Sequence, residues 1–510
     1  MARALGDIEY LLLLLLAAML MVRAAEIVRV PYPVVLVVGG LAIGLVPGLP
    51  DIELEPDVVF LLFLPPLLHA AAWYSSPREL WAEVRPLAVL AVGLVLATMA
   101  VVAVVAHQVV PGMSWEAAFV LGAVVGPTDP VSAQATFSRL GAPARMRLLV
   151  EGESMINDAT ALVAFRVALA AIVEGAFSFG DALFEFVYSA VGGALVGLAI
   201  GWFFTRLIRK QSNEALGILL TVLNAYAGYI IAEELHLSGV LGTVAAGIYS
   251  GWFAHTALDA GSRLSGIAFW RVMVLGLEAM LFILLGLQAP QLAEQIDVAP
   301  LVGQAVVVGL AVVAVRMAFA LVPQAGFGDT WRERVAVGWA GMRGAISLAA
   351  ALSIPLGVQE RPEILLITFG VIFITLVGQG LTLAPLLRKL DLRGEERWSP
   401  DEATARLETA QAALDRLEEL EDEGAGGEPV RRLRELYRGR FALCVAVLGG
   451  GELPEDGRRE LREYGAMRRE LIVAERAALI GLRNAGQVRN DLVRKIERDL
   501  DLDEARIRPQ

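Results

Sequence analysis

Val125-Gly126-Pro127-Thr128-Asp129-Pro130-Val131 interrupts an apolar stretch, residues 115–138, that is long enough to cross a lipid bilayer. Two prolines three apart remove two backbone donors and push Gly126 and Asp129 out of the helical region. The helix must break here, at mid-membrane depth. Broken helices persist there only where they line a cavity or are buried in protein. The break frees carbonyls near Gly126 and Thr128, which are ready cation ligands. Asp129 reads two ways. It is the N-cap of the following half-helix, with Pro130 at the first helical position, or a carboxylate that acts on the site through water.

The rest of the chain suits a membrane setting. Of 510 residues, 56% are hydrophobic and 19% charged, and the mean hydropathy is +0.60. A disordered chain is excluded, and a purely soluble enzyme fits poorly. A single cysteine, Cys444, excludes an internal disulfide framework and a cysteine-based zinc site. The net charge of −12 argues against a nucleic-acid partner. Residues 391–510 carry 49 charged positions in 120, and the same number is spread over the first 390. The expected division is therefore a transmembrane domain, 1–390, and a charged helical cytoplasmic domain, 391–510.

Thirteen segments are candidate spans, near 8–27, 33–49, 57–74, 86–108, 115–138, 147–173, 182–205, 214–233, 238–254, 272–290, 299–322, 333–355 and 363–387. The first reads as a span rather than a signal peptide, because it lacks a strong basic region and a small-residue cleavage site. Loops after odd-numbered spans hold sixteen Lys and Arg residues, among them Arg78, Arg85, Arg139, Arg145, Arg147, Arg206 and Arg209. Loops after even-numbered spans hold one, Arg361, and are otherwise neutral or acidic, as at Asp51, Glu53, Glu55 and Asp57. Positive loops stay in the cytoplasm, so the N-terminus is expected outside and the C-terminus inside the plasma membrane.

Ionisable groups inside spans mark function by default. The sixth segment reads Glu151-Gly152-Glu153-Ser154-Met155-Ile156-Asn157-Asp158-Ala159-Thr160. Ser154, Asn157 and Asp158, at i, i+3 and i+4, share one helical face and offer a hydroxyl, an amide and a carboxylate. Such oxygens suit a hard cation. Burial disfavours a charged carboxylate and a bound cation favours it, so Asp158 can trade a proton for a metal ion. The competing reading is a polar patch that glues helices together. The twelfth segment contains Gly341-Met342-Arg343-Gly344-Ala345. Arg343 needs an anion or a wet cavity. Glu153, about 140° around its helix from Asp158, is the expected partner in a structural ion pair. Arg166 and Arg316 are expected to snorkel or bind headgroups. His69 reads as a packing residue, the run Gly192-Gly193-Ala194 with Gly197 as close helix packing, and Glu278 has no assignment.

Taken together, these motifs resemble the monovalent cation/proton antiporter-1 family, the NhaP-like bacterial sodium/proton antiporters and their sodium/hydrogen exchanger relatives. Thr128-Asp129-Pro130, Gly152-Glu153-Ser154 with Asn157-Asp158-Ala159, Gly341-x-Arg343-Gly344-Ala345 and Leu64-Pro65-Pro66-Leu67-Leu68 match it in order, over residues 8–390. The resemblance implies an all-α protein of about thirteen transmembrane helices with inverted repeats and two crossed discontinuous helices, assembled as a homodimer. It implies that Asp158 binds cation and proton in alternation, that Thr128 and Ser154 complete the sodium shell, that Asp129 assists, and that Glu153 and Arg343 form the stabilising pair. A related electrogenic branch carries two adjacent aspartates where this chain has Asn157-Asp158, so one-for-one, electroneutral exchange is expected. Many members carry an acid at the position of Ala70, which suggests one outer carboxylate fewer here.

The expected function is thus exchange of sodium, or potassium or lithium, for protons, with no cofactor and no nucleotide motif. An intramembrane aspartyl hydrolase using Asp129 and Asp158 is the rival from another class, although it leaves Asn157 and the Glu153 pair unexplained. A passive channel would need acidic or carbonyl rings, whereas here the acids occur singly. The tail reads as helices at 401–423, 429–448, 456–480 and near 487–500, broken at Gly424-Ala425-Gly426-Gly427. It is taken as a solvated bundle, with regulation the sharper alternative.

Overall fold

Prolines, caps and two runs of small residues set where the chain turns and breaks. The computed structural model describes all residues except 1, 29, 47–55, 175–178, 212, 294–297, 323–329, 393–399, 425 and 449–454. Beyond 484 it describes only 492, 496, 500, 501, 503 and 504. Every regular element among the described residues is helical, with no strand. The acidic loop at Asp51, Glu53 and Glu55 and most of the expected last helix lie outside the described residues.

The first half of the chain runs α1 (Ala2–Val28), α2 (Tyr32–Gly44), α3 (Pro56–Tyr74), α4 (Pro77–Ala82), α5 (Val84–Ala88), α6 (Val95–Val109), α7 (Trp115–Val124), α8 (Val131–Leu140), α9 (Ala144–Glu174) and α10 (Phe179–Arg209). It continues with α11 (Glu214–Glu234), α12 (Gly239–Ala257), α13 (Ala260–Ala293), α14 (Val298–Leu321), α15 (Trp331–Trp339), α16 (Ala345–Leu352), α17 (Arg361–Ile374) and α18 (Gly380–Lys389). A π-helical stretch at Val89–Leu94 joins α5 to α6, and another at Thr375–Gln379 joins α17 to α18.

Seven of the described helices are long and apolar enough to cross a bilayer: Val84–Val109, Arg145–Ile172, Phe184–Arg209, Glu214–Glu234, Ala260–Leu284, Pro300–Leu321 and Arg361–Lys389. Tyr32–Gly44, Phe60–Tyr74 and Trp115–Val124 are apolar but shorter. The tenth segment differs from its expected bounds of 272–290. Its helix starts at Ala260, where Asp259 Oδ1 accepts from the Ser262 N–H at 2.7 Å, and apolar pattern alone stopped short at the intervening arginines. The segments at 115–138 and 333–355 are each two half-helices, separated at 125–130 and 340–344.

Close packing explains the small residues. A methyl added at Gly193 would overlap the Ser238 carbonyl, and one at Gly197 the Gly242 carbonyl, so α10 and α12 meet backbone to backbone. A large apolar core joins Leu36, Leu64, Leu121, Phe137, Phe282 and Leu348. His69 packs between the rings of Trp73 and Trp270.

The chain divides into two units, Met1–Gly394 and Glu395–Gln510. In the second, α19 (Pro400–Asp422) and α20 (Glu428–Leu448) pack together across Gly424 and Gly427, both at positive φ, and Arg434 pairs with Glu421. The third helix there, α21 (Glu455–Asn484), carries Arg476, which pairs with Glu504 at 2.6 Å.

Candidate ion-binding site

Two chain breaks meet each other. The Asp129 N–H, beyond Pro127, donates to the Met342 carbonyl at 2.7 Å. In return Arg343 Nη1 donates to the carbonyls of Gly126 and of Pro127, the latter at 2.7 Å. The Arg343 N–H itself is taken by Thr375 Oγ1 at 3.1 Å, at the start of the π-helical stretch. Each half-helix thus satisfies the groups its neighbour exposes, as a break buried in protein requires.

The sequence reading therefore needs a correction at the first break. Its carbonyls are not free as expected, because each already accepts one hydrogen bond: those of Gly126 and Pro127 from Arg343, and Thr128 O from Ser154 Oγ at 2.7 Å. Asp129 also differs from the capping expectation. Helix α8 starts at Val131 with Pro130 as its N-cap, and the Asp129 carboxylate instead lies over Gly344, the N-cap of α16. Only glycine fits there, because a Cβ would overlap the carboxylate. The positive end of the α16 dipole faces this acid.

The expected Glu153–Arg343 pair is likewise replaced. Glu153 and Arg316 form a two-pronged pair, Arg316 Nη2 to Glu153 Oε2 being 2.9 Å, with both side chains 1% exposed. Arg316 also donates to the carbonyls of Gly338, at 3.0 Å, and Val337, at 3.2 Å, near the end of α15. Gly341 leaves room for it, since a methyl there would overlap the guanidinium. The reason is geometric: Arg343 is committed to the first break, and the Glu153 face of α9 meets Arg316 of α14. Arg316 neither snorkels nor reaches headgroups. A charge within an apolar helix, at Arg316 five residues before the end of α14, was the available signal, the same one that singled out Arg343. Arg166 pairs with Glu233, half-exposed, rather than reaching for lipid.

Asp158 is buried, 4% exposed, and its Oδ1 has no hydrogen-bond partner among the described residues. It lines a cavity of about 90 Å³ together with Thr128, Asp129, Ser154, Glu278 and Ser347. Leu67, Leu68 and Ala71 form part of an apolar wall. Asn157 stands behind the wall: its Nδ2 donates to Thr128 Oγ1 at 2.8 Å. Ser154 and Asn157 thus clamp Thr128 by its carbonyl and its hydroxyl, and Asp158 is left facing the space. Ala70 does not line this cavity; it packs against Ala225 and Trp270. A second, polar cavity of about 410 Å³ is lined by Glu79, Gln134, Ser138, Arg147 and Glu151 among others, and Glu151 lines both.

Four residues outside the expected set bear on the site: Arg316, Glu278, Tyr32 and Ser347. The first two are charges in apolar helices and were visible as such. Tyr32 and Ser347 carry no pattern that distinguishes them from packing residues.

The chain and its fold have known counterparts. The pattern described as "Sodium/hydrogen exchanger, transmembrane" matches residues 11–389. The chain belongs to the sodium/hydrogen exchanger family. It is 31% identical to an uncharacterised Na+/H+ exchanger of Mycobacterium tuberculosis over 94% of this chain and 92% of that one. It is 32% identical to the Na+/H+ antiporter NhaH of Halobacillus aidingensis, over 75% of this chain and 97% of that one. The fold is similar to that of the sodium proton antiporter MjNhaP1 from Methanocaldococcus jannaschii, with a TM-score of 0.62 at 21% identity, over 74% and 99% of the two chains. This sodium/hydrogen exchanger homologue is a multi-pass membrane transporter and not an enzyme.

Proposed function

We propose that this chain exchanges a monovalent cation, sodium foremost, for a proton across the plasma membrane, one for one. The observation that carries the reading is Asp158: a buried carboxylate with one oxygen unengaged, facing a cavity at the crossing of two broken helices. A cavity of about 90 Å³ has room for a partly dehydrated ion with water. Thr128, Ser154 and Asp129 line it and supply further oxygens.

Coupling follows from competition. A proton and a cation each neutralise Asp158, and neither binds while the other is present. An empty, charged Asp158 is costly to carry through a dry barrier, so only occupied states cross. Rocking of one helix bundle against another then alternates access. With Asn157 neutral and committed to Thr128, one carboxylate carries one charge each way, which makes the exchange electroneutral. Gradients drive it, and no cofactor is required.

Residues 1–390 form the transporter domain in this reading, and 391–510 a cytoplasmic helical domain. The arginine-rich loops set the N-terminus outside and the C-terminus inside. In this orientation the polar cavity lined by Gln134, Arg147 and Glu151 lies on the cytoplasmic side, and Glu151, which lines both cavities, marks the proposed route to the site. The working unit is a homodimer in lipid, serving sodium and pH homeostasis.

The test is purified protein in liposomes, with proton movement recorded on addition of sodium, then potassium and lithium. Wild type is expected to move protons with sodium, and Asp158→Asn, folded to the same melting temperature, is expected to be silent. Transport retained in Asp158→Asn, or no wild-type flux with any of the three cations, would overturn the reading. The aspartyl hydrolase alternative has less support, because Asp129 lies over Gly344 at the start of α16.

A further inference from the structure

Glu278 is an acid in the middle of α13 that the exchange cycle above leaves unused. It is 7% exposed, so its charge or proton is held inside the helix bundle. Its position is fixed from two sides. The Tyr32 hydroxyl, at the start of α2, donates to Glu278 Oε2. Helices α2 and α13 pack so closely that a methyl at Gly40 would overlap the Ile283 carbonyl and one at Gly286 the Val37 carbonyl. Glu278 therefore sits on a rigid wall, clamped to a helix that carries none of the residues assigned to Asp158's oxygen shell. Among the described residues no hydrogen bond engages its other carboxylate oxygen.

That wall faces the ion cavity. Glu278 lines the same space as Asp158, Asp129 and Ser347. Two further groups there are buried, polar and without partners: Asp158 Oδ1 and Ser347 Oγ, whose residues are 4% and 1% exposed. Buried polar atoms are nearly always satisfied, so two such atoms on residues that line one cavity with a fixed acid point to a polar occupant. Among the described residues no three acids close tightly enough to clasp one bare ion. Glu278 thus reaches the ion at one remove, through water the ion retains.

We infer that Glu278, positioned by Tyr32, is the outer carboxylate of the cation site and sets its affinity for sodium. The inference rests on the exchange reading above. Asp158 remains the group that alternates between proton and cation, while Glu278 draws the partly hydrated cation into the cavity.

The experiment is a sodium titration of exchange in liposomes at one fixed pH, for wild type, Glu278→Gln, Glu278→Asp, Tyr32→Phe and Asp158→Asn, each with its melting temperature. Glu278→Gln is expected to raise the sodium KM about tenfold, a larger change than its effect on the maximal rate. Glu278→Asp should fall between, and Tyr32→Phe should raise KM by a smaller factor with only a modest loss of melting temperature. A wild-type KM in Glu278→Gln overturns the inference. If Glu278→Gln fails to fold, Tyr32→Phe decides: a raised KM supports the assignment and an unchanged KM overturns it. Should wild type itself not exchange, the functional reading has failed. Wild-type exchange with an unmoved KM in the variants fails only this inference.

Discussion

Arg343 donates to the Pro127 carbonyl at 2.7 Å, and so holds one broken helix with a side chain from the other. The same Nη1 reaches the Gly126 carbonyl, and the Arg343 backbone returns to Thr375. A guanidinium therefore fills the carbonyl end of the break, which in the proposed exchange leaves the Asp158 side for the cation. Replacing Arg343 by alanine leaves two buried carbonyls unsatisfied, at about 1–3 kcal/mol each. We expect Arg343→Ala to lower the melting temperature in detergent and to abolish exchange. Arg343→Lys, with a slightly shorter reach and a single ammonium head in place of the planar fork, should retain part of both. A melting temperature unchanged in Arg343→Ala would show that the contact does not hold the break.

The Glu153–Arg316 pair makes a separate prediction. Both groups are buried, so removing one leaves an uncompensated charge, at about 3–5 kcal/mol. Glu153→Gln and Arg316→Met are each expected to destabilise by that order. The double variant should recover much of the loss, because it removes both charges and leaves only the Gly338 and Val337 carbonyls short of a donor. Thermal unfolding of the four proteins closes the cycle. Strict additivity, with no recovery in the double variant, would mean the pair is not coupled.

The locations of helices and breaks were legible in the sequence because they depend on local rules. Pro127 and Pro130 deny backbone donors to their own helix, and the apolar lengths follow from bilayer thickness. The face shared by Ser154, Asn157 and Asp158 is set by helical period alone, and the structure keeps Ser154 and Asn157 together on Thr128. Pairings between distant helices were not legible. Whether Glu153 meets Arg343 or Arg316 depends on how α14 and α15 cross α9, which no spacing encodes. Asp129 shows the same limit: the local rule offered a cap for α8, and tertiary packing put the carboxylate over Gly344. Glu278 was visible as a charge in an apolar helix, but its cavity is built from five segments far apart in sequence.

On the arginine-rich side, Glu83 and Arg145 form a two-pronged pair, Nε to Oε1 at 2.8 Å and Nη2 to Oε2 at 3.0 Å. Hydrogen bonding to Arg145 holds the Glu83 carboxyl below its usual range, against partial burial that pushes it up. The folded value is the lower one, so the pair's stabilisation is present above the unfolded glutamate value of about 4.3 and is lost as pH falls through the folded value. Both side chains are partly exposed, which limits the effect to about 1 kcal/mol or less. Glu83→Gln should lower the melting temperature slightly at pH 7. The gap from wild type should close once wild-type Glu83 is itself protonated. A gap that stays constant with pH would refute the charge argument.

Asn157 offers the sharpest test of stoichiometry. Its Nδ2 donates to Thr128 Oγ1, and its Oδ1 is buried without a partner. Asn157→Asp keeps the shape and reverses the bond, because the Thr128 hydroxyl can donate to a carboxylate. Ser154 still holds the Thr128 carbonyl, so the clamp survives. The change adds a second ionisable acid beside Asp158, and the two titrate as a pair. If both exchange protons while one cation is carried, each cycle moves net charge. Wild-type exchange should then be indifferent to a potassium-diffusion potential across the liposome, whereas exchange by Asn157→Asp should accelerate or slow with its sign. Wild-type rates that follow the imposed potential would refute one-for-one exchange through a single carboxylate.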